Sequence, residues 1–68
     1  MSNSVYKVIE LVGTSTESWE KAAANAVERA SKSLRDLRIA EVSTLDMQIK
    51  DGKVENYRSK IKVSFKFE

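Results

Sequence analysis

The dipeptide Asp51-Gly52 separates two long runs of alternating residues, and this arrangement restricts the second half of the chain to a β-hairpin. Asp-Gly accepts the positive φ angles of a two-residue turn whose twist matches that of the strands it joins. Beyond the turn, Tyr57, Ser59, Ile61, Val63, Phe65 and Phe67 fall on one face, and Asn56, Arg58, Lys60, Lys62, Ser64 and Lys66 on the other. That is the period of a strand with one apolar and one basic side. Before the turn the pattern is less clean. Odd positions read Ile39, Glu41, Ser43, Leu45, Met47 and Ile49, and even positions read Ala40, Val42, Thr44, Asp46 and Gln48. Apolar residues sit in both sets.

Upstream of Leu37 the period is helical. Trp19, Ala22, Ala23, Ala26, Val27, Ala30 and Leu34 recur at the spacing of one helix face. The spacing predicts a helix from about residue 17 to 34. Thr14 with Glu17 suits a capping box, with Ser15 as the other candidate cap. Glu17 and Glu20 near the start, and Lys32 and Arg35 near the end, complement the helix dipole. The apolar face is mostly alanine, so a curved sheet can approach it closely. Trp19 is the one large residue there, and its expected role is an anchor in the core or at a subunit contact. The run Val5 to Val12 is rich in β-branched residues and predicts a strand ending at Gly13. The expected architecture is α+β, of order β-α-β-β, with a three-stranded antiparallel sheet wrapped around one helix. Residues 1–68 are expected to form a single domain.

Such a chain is short of internal support. A domain near 68 residues buries only roughly 60% of the surface its unfolded chain exposes, and a disulfide, a metal or self-association usually compensates. There is no Cys and no His, which removes disulfides, thiolate chemistry, the usual general base and the commonest transition-metal ligand. A classical enzyme is not expected. One helix covers only one face of the sheet, and open edges invite pairing, so self-association is the expected support. Twelve Lys and Arg against ten Asp and Glu give a net charge of +2, far from the footprint of a dedicated nucleic-acid binder. No apolar run approaches the ~20 residues of a membrane span. The opening Met1-Ser2-Asn3-Ser4 lacks the basic and apolar regions of a signal peptide, so a cytoplasmic location is expected.

Few residues suggest chemistry. Glu41 and Asp46 are separated by an odd interval, which puts them on opposite faces of a regular strand and prevents a carboxylate dyad unless a bulge intervenes. Without Cys or His, only an oxygen-ligated cation such as Ca²⁺ or Mg²⁺ is plausible, with Asp46, Asp51 and Glu55 as donors. One acid repeated around a symmetry axis can build a site that a single chain cannot. Gly13-Thr14-Ser15 lacks the glycine spacing of a phosphate-binding loop and reads as a cap. The basic stripe Arg58, Lys60, Lys62 and Lys66 carries no aromatic residue for base stacking, and lysine also guards strands against aggregation.

Taken together, VYKVIELVGTS, the helix SWEKAAANAVERA, the AEV segment, the Asp-Gly hairpin and the ending KVSFKF resemble the dodecins over about Val5 to Phe67. The resemblance implies a hollow, cubic-symmetric homododecamer, in which many members bind flavins between subunits as buffers and not as catalysts. Flavin-binding members place a Trp just before the AEV-like segment to stack on the isoalloxazine; here that position is Ile39. They place a Gln after the aromatic residue of the third strand; here Arg58 follows Tyr57. An aliphatic Ile39 lacks a π-face, and Arg58 can donate but not accept. The chain is closer in look to the calcium-dodecin branch, in SWE at 18–20, DM at 46–47, Tyr57-Arg58 and the VSFK ending.

The reading is therefore a non-enzymatic small-ligand-binding and storage protein forming a homododecamer in the cytoplasm, with no nucleic-acid or membrane partner. A flavin, FMN or riboflavin, would be bound weakly by Ile39, Arg58, Gln48 and Tyr57. The alternative is a Ca²⁺- or Mg²⁺-binding or purely structural shell, with Asp46 and Glu41 as the metal candidates.

Overall fold

The computed structural model describes residues 4–67, so Met1 to Asn3, read above for a leader, lie outside the described residues. Four elements follow in the expected order: β1 (Val5–Ser15), α1 (Trp19–Ala30), β2 (Leu37–Lys50) and β3 (Lys53–Phe67). The three strands form one antiparallel sheet in the order β1-β3-β2, with β3 central. Asp51 (φ 53°) and Gly52 (φ 76°) both take positive φ, as the two-residue hairpin turn requires.

The helix is shorter than its periodicity suggests, and its cap is different. Ser18 caps it, accepting from the Lys21 backbone N–H at 3.0 Å, while Thr14 and Ser15 belong to β1. Ser15 instead accepts from the Glu17 N–H in the connecting turn. Past Ala30, the amides of Ser33 and Leu34 both bond the Ala30 carbonyl, and the chain leaves the helix in turns. Asp36, at φ 57°, then redirects it into β2. Leu34 completes the apolar stripe from a turn, half-buried.

Gly13 does not end β1. It marks where the helix lies closest to the sheet: a Cβ there would overlap the Ala22 carbonyl and stand 2.9 Å from Ala26 Cβ. The alanines have the matching role, for Ala22 is fully buried and Ala26 and Ala30 nearly so. The core is completed from β3 by Ile61 and Val63, with Ile9, Leu11, Ala23, Val27 and Leu37 packed around it. Burying a side chain such as Ile61 contributes about 1.5–3 kcal/mol.

Residues directly opposite each other on antiparallel strands share a face, so the buried Ser59, Ile61 and Val63 define the helix side. On β2 the register shifts between Leu37 and Ile39, Val42 and Thr44, and Gln48 and Ile49. These irregularities explain the mixed alternation of that strand. Leu37, Ala40, Val42, Leu45 and Met47 align with helix-side positions of β3, and Ile39, Glu41, Thr44, Asp46 and Gln48 with outer ones. The helix packs against β1 and β3 and barely reaches β2. Val42, Leu45 and Met47 are therefore on the helix side yet exposed. The molecule measures 51 × 20 × 14 Å with a radius of gyration of 14.0 Å, against about 11 Å for a compact chain of this length. No helix among the described residues is long and apolar enough to cross a membrane.

Candidate functional site

Near the turn, two polar rungs cross β2 and β3 on the outer face. Asp46 stands opposite Arg58, and Gln48 opposite Asn56. Arg58 grips the carboxylate with two parallel bonds, Nε to Oδ1 at 2.7 Å and Nη2 to Oδ2 at 2.9 Å. This fork-to-fork geometry is the strong form of a charge-assisted pair. On the next rung Asn56 Nδ2 donates to Gln48 Oε1 at 3.0 Å. The guanidinium, by hydrogen bonding and then by its charge, holds the Asp46 carboxyl below its ordinary range, and the carboxylate raises Arg58 in return. Both side chains keep nearly half their surface in solvent, 47% for Asp46 and 40% for Arg58.

Asp46 is also held from the other side. The Trp19 indole N–H donates to its backbone carbonyl at 3.0 Å, and the Trp19 ring meets Tyr57 edge-on with centroids 5.1 Å apart. The buried Ser59 hydroxyl donates to the Trp19 carbonyl at 2.7 Å. Trp19 thus ties the start of the helix to both hairpin strands, half-buried and outside the central apolar cluster.

The residues singled out from sequence fall into separate groups. Asp46, Arg58 and Gln48 come together. Tyr57 is opposite Met47 on the helix side, half-buried, and faces away from them. Ile39 is on the outer face at 64% exposure, opposite Ser64. That rung is six residues along β3 from Arg58, about 20 Å at the rise of a strand. Among the described residues, Ile39 therefore stands apart from the polar rungs of its own chain.

Glu41 and Asp46 correct the simple alternation. The shift between Val42 and Thr44 puts them on the same, outer face, opposite Lys62 and Arg58 respectively. Their rungs are four residues apart, about 13 Å, and both Asp46 oxygens are engaged by Arg58. No group of three acidic, His or Cys side chains able to hold a metal occurs among the described residues. The described residues of a single chain offer no site for a divalent cation.

The basic stripe is interleaved with acids. Asp46 faces Arg58, Glu41 faces Lys62 across β2, and Glu10 faces Lys62 across β1. Lys60 Nζ reaches Glu10 Oε1 at 3.9 Å. Periodicity shows the cations and misses these carboxylates, which come from other strands. Asn56 and the Trp19 hydrogen bond to residue 46 likewise have no signal in the sequence pattern.

On the opposite face, α1 and β1 flank a groove of about 750 Å³ lined by Ile9, Leu11, Ala26, Arg29, Ala30 and Leu34 among others. None of the residues singled out for flavin or metal lines it.

A sequence model of the family described as Dodecin matches residues 5–68. The chain is 52% identical over 63 residues to a calcium dodecin from Mycobacterium tuberculosis, covering 93% of this chain and 89% of that one. Among solved structures it is similar to the dodecin from Streptomyces coelicolor, at a TM-score of 0.94 and 44% identity, covering 100% of this chain and 97% of that one. It is also similar to the crystal structure of the M. tuberculosis calcium dodecin, at a TM-score of 0.84 and 52% identity, covering 94% of this chain and 91% of that one. That protein is described as calcium-chelating, with a novel calcium-binding site.

Proposed function

This chain belongs to the dodecin family, and on that premise we propose that it is a non-enzymatic binding and storage protein that works as a hollow homododecamer. One observation carries the assembly. Large apolar side chains on both faces are left in solvent, among them Val8, Val12 and Ile39 outside and Val42, Leu45 and Met47 on the helix side. On the helix side these are successive positions of β2, and an exposed apolar patch of this kind marks contact with other chains. The flat, 51 Å-long molecule has too little interior of its own to bury it.

The ligand proposed is a flavin, riboflavin or FMN, bound weakly between subunits. Arg58, Asp46 and Gln48 would supply polar contacts from one chain. Ile39 of a neighbouring copy would supply an apolar contact without the extra attraction of an aromatic face, worth ~0.5–1.5 kcal/mol. Tyr57 sits beneath the same rungs and would support them from the helix side. A bound flavin contributes its isoalloxazine chromophore, and this chain's residues bind and shield it.

Similarity to a calcium dodecin favours a second reading. Ca²⁺ or Mg²⁺ would be held by Asp46 and Glu41 carboxylates from several copies, since those of one chain stand apart. In this reading the interleaved charge of the outer face also argues against nucleic acid as a partner.

Titration of the purified protein with riboflavin under fluorescence tests the first reading, and quenching of flavin emission is the expected result. Melting with and without a chelator tests the second: a drop restored by Ca²⁺ and absent in Asp46→Ala supports it. A protein that answers to neither is a structural shell.

A further inference from the structure

We propose that Asp46 makes the outer-face site discriminate against phosphate-bearing ligands, by neutralising the Arg58 guanidinium and occupying its Nε–Nη2 edge. This rests on the reading above, that the Asp46–Arg58–Gln48 rungs contact a small ligand.

The geometry carries the inference. An arginine fork is well suited to bind a phosphate because two parallel N–H groups meet two oxygens. In this chain Nε and Nη2 already meet both oxygens of Asp46, at 2.7 and 2.9 Å. A phosphate at Arg58 must either displace a carboxylate of matching shape or take the remaining Nη edge of a pair with no net charge, with that carboxylate repelling it. The neighbouring cations Lys60 and Lys62 also have carboxylates beside them. Lys60 reaches Glu10 on β1, and Lys62 stands on one rung between Glu41 of β2 and Glu10 of β1. From residue 58 to 62 the outer face of β3 therefore presents three cations against the three carboxylates of Asp46, Glu41 and Glu10. An uncharged ligand with donors and acceptors along one edge meets no such opposition, because the pair and the Gln48–Asn56 rung keep solvent-facing donors and acceptors.

The test compares riboflavin with FMN, which differ by a phosphate, on the assembled protein by fluorescence titration. Wild type is expected to bind FMN no more tightly than riboflavin. Asp46→Asn keeps the side-chain shape, removes the charge and frees the fork. It should raise the FMN-to-riboflavin affinity ratio about tenfold, as a charge-assisted pair with phosphate would. Adding Arg58→Gln to that variant should remove the gain. A wild type that already prefers FMN tenfold, or a ratio unchanged by Asp46→Asn, overturns the proposal. Inorganic phosphate, followed by ³¹P line broadening, gives a reading independent of flavin. Phosphate bound by Asp46→Asn and not by wild type supports the proposal, and the same behaviour in both proteins overturns it. If no variant binds either flavin, the flavin reading fails, and the phosphate comparison still decides the role of Asp46.

Discussion

The Trp19 indole donates to the backbone carbonyl of Asp46 from the helix side of the sheet, while the carboxylate of the same Asp46 is gripped by Arg58 on the outer side. Residue 46 is thus fixed from both faces of β2, an edge strand that the helix scarcely touches. The tether passes through the first helical residue, so the N-terminus of α1 and the polar rungs of the hairpin are mechanically one unit.

Trp19→Phe keeps an aromatic ring near Tyr57 and deletes the bond to residue 46. It is expected to cost about 1 kcal/mol, the usual net value of a hydrogen bond. Ser59→Ala, which removes the 2.7 Å bond to the Trp19 carbonyl, should cost a similar amount. Urea midpoints of the two variants measure both losses.

Gly13→Ala should destabilise the fold by about 1–3 kcal/mol, as overpacking in a tight core does. The added methyl group would overlap the Ala22 carbonyl, which belongs to the helix backbone and cannot swing away as a side-chain end could. A melting temperature equal to or above that of wild type would contradict this close approach.

The acid response should depend on Asp46. Its folded pKa is lowered by Arg58, so the pair's contribution is present above the ordinary aspartate value and is lost as pH falls below it. Between pH 6 and pH 3 the wild type should lose more stability than Asp46→Asn, which has no proton to take up there. With both partners well exposed, the difference should be small and should shrink further in high salt. Paired thermal melts at the two pH values check the sign.

Ile39→Trp should strengthen flavin binding, because it places a π-face on the outer surface where an exposed aliphatic side chain now stands. Deeper quenching of riboflavin emission at equal protein concentration is the expected readout. No change would show that Ile39 does not face the ligand.

Much of the fold could be read from residue order. The clean alternation of β3, the alanine stripe of α1 and Asp51-Gly52 were sufficient for β-α-β-β. Gly13 was misleading: a glycine after a strand usually signals a turn, and here its missing side chain makes room for Ala22 and Ala26. The cap was displaced to Ser18 for the same reason, since β1 continues through Ser15 beneath the helix. The site was harder to see. Counting rungs back from the turn would put Tyr57 opposite Asp46, and only the register shift between Gln48 and Ile49 brings Arg58 there. A bulge changes a strand's register and facing without an unmistakable mark in its sequence. The second shift, after Val42, moved Asp46 onto the face of Glu41 in the same way. Arg58 and Asp46 were each legible as candidates, but their pairing was not.

Native mass spectrometry of the purified protein, without added ligand, tests the central claim most directly. The expected mass is twelve times that of the 7.7 kDa chain, and any excess would report a carried flavin or metal ion. A monomer or dimer as the only species would contradict the dodecameric binding shell.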